Sequence, residues 1–210
     1  MHLSIREELR ALLQYVRRNG REILIVCLAT LYLVLYRYHR FEPGWQRHLV
    51  FLTALPALTI TVILRENILN FGLKAGNCKL WIKHVVIVCI VCTGFIYAAS
   101  RLPAVHLYYT QSKANFFNYI LERIIIIFSI EFFFRGFLLF GVKKQFKEGA
   151  ILIQMIPFAI LHIGKPEIET IGCILSGTYL GYLAYRTNSL WPAFLIHLYA
   201  NVLNKIIHTL

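Results

Sequence analysis

The chain contains no aspartate: all ten of its acidic residues are glutamates. The paired-aspartate device of aspartic proteases is thereby excluded. No HExxH sequence occurs either, which excludes the metal-binding helix of zincin-type proteases. Charge of any kind is scarce, at 15% of residues, where soluble domains carry about 25%. What charge there is leans one way, with 22 lysines and arginines and a net charge of +12. The five cysteines, Cys27, Cys78, Cys89, Cys92 and Cys173, are odd in number and lie mostly in apolar runs. Neither a disulfide framework nor a thiolate zinc site is expected from them. Cys89 and Cys92, one helical turn apart, read as small hydrophobic residues.

Apolar residues fill the space that charge vacates. They make up 58% of the 210 residues, with a mean hydropathy of +0.62. A soluble core needs only about half of its residues to be oily, so the excess is expected to face lipid. Uncharged runs cover residues 23–36, 49–64, 85–100, 149–164, 170–185 and 187–204, and a seventh, 124–142, is interrupted only by Glu131 and Arg135. Each run is shorter than the roughly 20 residues of a full span, but Tyr36, Tyr38, Trp45, Trp81 and Trp191 at their ends suit the headgroup level and extend them. This pattern predicts an all-α, polytopic transmembrane helix bundle of about seven spanning helices, within a range of six to eight. Residues 1–210 read as one membrane domain, with the chemistry-bearing core at 117–205.

The basic residues sit in short clusters between the apolar runs and form no continuous stripe, so they read as topology signals and lipid-headgroup contacts, not as a nucleic-acid surface. Their distribution predicts a cytoplasmic amino terminus, against which the loop holding Arg37, Arg40 and Arg47 runs. The first twenty residues carry Leu3, Ile5, Leu9, Leu12, Leu13 and Val16 among arginines, the pattern of an amphipathic interfacial helix. Five arginines and three glutamates precede the first apolar run. That run is therefore expected to stay in the membrane and not to be cleaved as a signal peptide.

Ionisable groups inside a span cost on the order of 3 kcal/mol each on insertion scales, so a segment keeps one only where it is paired or used. Glu131 and Arg135 stand four apart on one helical face and are expected to pair. His162 ends the run IPFAILH, with Phe158 four residues before it. His197 and Asn201 are again four apart, and Asn204 and His208 continue that polar stripe along the last helix. A carboxylate, two imidazoles and a carboxamide from three helices suit hydrolysis. A glutamate and a histidine polarise water, and a second histidine and an asparagine donate to an oxyanion. Ser176 as a nucleophile toward His197 is the weaker reading, since Gly177 and Gly181 mark its segment as close helix packing.

These residues resemble the three motifs of the CAAX-protease and bacteriocin-processing family, also called CPBP or Abi. EFFFRG at 131–136 resembles EExxxR, FAILH at 158–162 resembles FxxxH, and HLYAN at 197–201 resembles HxxxN. The resemblance implies a helical intramembrane endopeptidase of a membrane, expected to be a bacterial cytoplasmic membrane, acting on a peptide or a lipidated peptide such as a prenylated CAAX or a leader sequence. It implies catalytic roles for Glu131, His162, His197 and Asn201, with Arg135 and Phe158 in support. A glutamate and the FxxxH histidine would activate water and the HxxxN pair would stabilise the oxyanion. The motifs do not spell a conventional zinc site; if a divalent metal such as zinc is bound, His162, His197 and Glu131 are its candidate ligands. One departure stands out: Ile130 occupies the position of the family's first glutamate, and one helical position rotates a side chain by about 100°. A catalytically silent relative acting in peptide binding or bacteriocin self-immunity is the rival reading, and a small proton-coupled transporter a third.

Overall fold

A computed structural model describes residues 4–110 and 115–209. Leu3 of the expected amphipathic face lies outside them. Helices and the turns joining them account for the described chain, and no strand occurs among the described residues. Eight helices follow one another: α1 (Ile5–Tyr38), α2 (Trp45–Ile63), α3 (Cys78–Ser100), α4 (Pro103–Thr110), α5 (Phe116–Phe146), α6 (Gly149–Leu161), α7 (Glu167–Thr187) and α8 (Trp191–Thr209). Seven of them carry the seven uncharged runs, one run each, and α4 is additional. By length and composition α1, α2, α3 and α5 are long and apolar enough to cross a membrane, so a transmembrane bundle is the architecture.

Local chemistry sets the helix ends and bends. Ser4 and Glu7 form a reciprocal capping box at the start of α1, with Ser4 N donating to Glu7 Oε2 over 2.8 Å. A kink at Asn19, where φ is −115° and ψ is 15°, separates the arginine-rich first part from the apolar remainder. Ile5, Leu9, Leu12, Leu13 and Val16 are exposed along that first part. In α2, widened π-type turns at Leu49–Ala54 and Thr59–Ile63 flank Pro56, which brings no N–H to the regular ladder.

α5 is the central element. Its Phe132, Phe133, Phe134, Phe137 and Leu139 are fully or almost fully buried, and α1, α2, α6, α7 and α8 pack around it. Its turns from Phe132 to Phe140 are also π-wound, a departure that recurs at functional sites. α3 is the outermost span. It joins α8 and α7 through a small second cluster in which Trp81, Val85, Val88 and Cys89 meet Leu180, Leu183, Ala193 and Ile196.

The connection after α2 braces the turn between α7 and α8. Asn77 N donates to Thr187 O over 3.0 Å, Leu190 N to Gly72 O over 2.9 Å, and Trp191 Nε1 to Leu73 O over 2.9 Å. Gly76 has a φ of +64°, and a Cβ there would strike the Thr187 carbonyl, so only glycine lets the two backbones meet. This contact fixes where α8 starts, and with it the height of His197.

Candidate active site

Glu131 and Arg135 lie at the middle of α5 with no exposed surface. Arg135 Nη1 donates to Glu131 Oε1 over 3.2 Å. Arg135 Nε stands 3.2 Å from Glu131 Oε2, within ion-pair distance, but off the N–H line, so Oε2 accepts no hydrogen bond among the described residues. Arg135 reaches further, with Nη2 3.4 Å from Gly177 O on α7 and its guanidinium 4.2 Å above the ring of Phe158. The ion pair is thus held on one side by a helix backbone and on the other by an aromatic face.

Glu131 does not face Arg135 alone. Its Oε1 also accepts from His197 Nδ1 over 2.7 Å, linking α5 to α8. A carboxylate only accepts, so His197 carries its proton on Nδ1 and presents Nε2 elsewhere. His162 is held in the same tautomer by a different partner: Nδ1 donates to the Phe158 carbonyl over 2.7 Å, one turn back. Both imidazoles are therefore anchored through Nδ1 with Nε2 left for other work.

Phe158 stands at the centre of this group. Its ring lies 4.6 Å from that of His162 and 6.0 Å from that of His197, and the two imidazole centroids are 6.4 Å apart. The close approach depends on α7. A Cβ at Gly177 would lie 2.7 Å from Phe158 Cδ1, and one at Gly181 would strike Gln154 Nε2. The two glycines expected to pack helices closely are what admit Phe158 and Gln154.

A cavity of about 490 Å³ opens beside these rings between α3, α6, α7 and α8. His162, His197 and Asn201 line it, together with Phe158, Ser176 and an apolar wall of α3 that includes Val88, Val91 and Phe95. Glu131 and Arg135 do not line it; they sit behind the ring of His197. Asn201 Nδ2 gives one hydrogen to His197 O over 3.0 Å, which leaves its second N–H to donate. Ser176 forms no hydrogen bond with His197 among the described residues, and so lacks the base that a serine nucleophile requires. Ile130 is buried in the main apolar core.

Residues 112–203 match the family model described as Type II CAAX prenyl endopeptidase Rce1-like. That model is one of the CPBP, or CAAX protease, family, and the likeness lies in this segment. No curated protein and no solved structure matches the chain. The matched segment contains all three motifs, and its helices α5 to α8 are the ones that meet at Phe158. Together with the apolar helices, the family makes this an integral membrane protein.

Among the described residues no group of three His, Cys, Asp or Glu side chains converges on one point. Glu131 spends Oε1 on His197 and Arg135, and both histidines spend Nδ1 on hydrogen bonds. Glu131, His162 and His197 do not converge on one point as they stand, and no step below passes through a metal.

Two features escaped the motif reading. Gln154 is completely buried and donates from Nε2 to Gly177 O over 2.9 Å, the same carbonyl that Arg135 approaches. It is the sole strongly polar side chain in GAILIQMIPFAIL, but not an ionisable one, so the criterion that singled out Glu131 passed over it. At one end of the cavity Lys165 pairs with Glu169 over 2.5 Å, and Tyr109 donates to Glu169 over 2.6 Å. No sequence spacing connects Tyr109 to that pair.

Proposed function

We propose that the chain is an intramembrane endopeptidase that hydrolyses a peptide bond of a membrane-associated peptide, prenylated CAAX-type or leader, with water activated by a glutamate–histidine pair. The observation that carries this reading is the 2.7 Å bond from His197 to Glu131, set beside a cavity onto which His162 and Asn201 also open. His197 Nε2 takes a proton from a cavity water, and the imidazolium so formed lies against the Glu131 carboxylate. His162 Nε2 accepts the second O–H of that water and aligns it. The hydroxide oxygen bonds to the scissile carbonyl carbon, and the second N–H of Asn201 donates to the oxyanion. Collapse breaks the C–N bond, and His197 returns the proton to the leaving nitrogen. Positioned acid–base transfer of this kind contributes roughly 10²- to 10⁴-fold.

Glu131 acts through His197 and not on water directly, which suits a site where Ile130 stands in place of a further carboxylate. Arg135 and Phe158 hold the pair and the rings in place. The apolar wall of α3 suits a hydrophobic or lipidated segment of the substrate. We place the protein in a bacterial cytoplasmic membrane with its amino terminus inside. The test is cleavage of a mixed set of prenylated CAAX peptides and double-glycine leader peptides by detergent-purified protein. Cleavage by wild type that is lost in His197→Ala and His162→Ala supports the reading. Binding without cleavage would assign the chain to the silent class.

A further inference from the structure

Arg47, in the first turn of α2, and Arg123, in α5, belong to helix segments that pack on each other. Neither forms an ion pair with a glutamate among the described residues, and Nε of each is shut off from solvent without a hydrogen-bond partner. Each guanidinium lies over an aromatic ring, Arg47 4.6 Å above Tyr36 and Arg123 4.9 Å above Tyr119. The Tyr36 hydroxyl shares a 2.7 Å hydrogen bond with His48 Nε2. Two arginines on packed helix segments thus lack a partner at Nε, one of them over the ring of a phenol–imidazole pair. Glu42, in the adjoining loop, is exposed, and neither it nor Glu122 pairs with an arginine among the described residues.

Like charges brought together and partly desolvated repel one another, and a membrane protein keeps them where an anion compensates. Tyr36, Tyr38 and Trp45 put the cluster at headgroup level, where phosphate is the abundant anion. Guanidinium forks match phosphate oxygens in geometry as well as charge. We infer that Arg47 and Arg123 form a phosphate-binding site at one end of the bundle, filled by the head of an anionic phospholipid or by free phosphate. The site also accounts for arginines in a loop where the positive-inside pattern does not ask for them. It is independent of the peptidase reading.

The experiment is thermal unfolding of delipidated full-length protein in neutral detergent, alone and with phosphatidylglycerol, diacylglycerol or inorganic phosphate. Phosphatidylglycerol is expected to raise the midpoint by about 3 °C or more, diacylglycerol not at all. The rise should disappear in Arg47→Gln/Arg123→Gln and persist in the charge-matched Arg101→Gln/Arg186→Gln. An equal rise with inorganic phosphate, lost in the same double variant, would make the free anion the ligand of the same site. If the double variant does not fold, Arg47→Gln and Arg123→Gln are each read singly against Arg101→Gln. The site is overturned if neither phosphate source stabilises the wild type, if the rise survives the arginine substitutions, or if the control loses it equally.

Discussion

Glu131 Oε1 accepts a hydrogen bond from His197 Nδ1 at 2.7 Å, joining two motifs that lie 66 residues apart in the chain. The carboxylate is therefore bonded to the histidine of HxxxN, whereas the resemblance to the family's motifs implied a partnership with that of FxxxH. Glu131→Gln keeps the volume but lets the amide nitrogen face Nδ1, which favours the wrong imidazole tautomer. Peptide cleavage is expected to fall by roughly 10³- to 10⁴-fold, with KM changed little. Steady-state kinetics on the best peptide of the mixed set checks this, and a kcat within tenfold of wild type would show that Glu131 is structural.

The same substitution leaves Arg135 buried beside an uncharged group. Removing one partner of a buried pair destabilises by about 3–5 kcal/mol. Glu131→Gln/Arg135→Met should recover part of that stability without recovering cleavage. Unfolding in denaturant alongside activity separates the two effects, and recovery of both together would contradict the assignment of Glu131 to the proton transfer.

Gly177→Ala places a methyl group 2.7 Å from Phe158 Cδ1. The ring must move, and His162 and the Arg135 guanidinium that pack on it move with it. Overpacking of this kind costs about 1–3 kcal/mol. Lower stability is expected together with a cleavage loss at least as large as that of Phe158→Leu. Gly172→Ala is the control, since a Cβ there meets nothing within 4 Å.

Outside the spans, Arg21 Nε donates to Glu66 Oε1 over 2.6 Å, and this bond holds the Glu66 carboxyl below its usual value of 4.5. A depressed folded value means that stability from this pair is fully present above about pH 4.5 and is lost as pH falls through the lower folded value. Arg21→Gln should remove that part of the acid sensitivity. Unfolding midpoints of the two proteins, measured from pH 7 down to pH 3, should converge toward the acid end; a constant gap would mean the pair does not titrate as described.

Chelation is expected to leave cleavage unchanged, because Glu131, His162 and His197 do not converge on one point. Activity assayed after exhaustive dialysis against a chelator decides this. A loss restored by added zinc would require the site to rearrange into a metal-binding form.

The helical, membrane-embedded character of the chain was legible in its sequence because lipid imposes a local rule: each span must be apolar by itself. The uncharged runs mark seven of the eight helices for that reason. α4 went unseen, being short and without a run of its own. The motif residues were legible for a related reason, since an ionisable side chain in an oily run stands out wherever it occurs. Gln154 is polar but not ionisable, so that criterion passed it by.

Partnership was decided by the tertiary structure alone. Spacing of four places Glu131 and Arg135 on one helical face, but nothing local relates Glu131 to His197, Arg135 to Phe158, or Tyr109 to Glu169. Those contacts depend on helix rotation and height, which are set by the π-wound turns of α5, by the bare faces of Gly177 and Gly181, and by the brace from Gly72 and Asn77 under the turn into α8. Hydrophobicity writes each helix into its own stretch of sequence, while the register between helices is a sum of packing contacts that no single stretch contains.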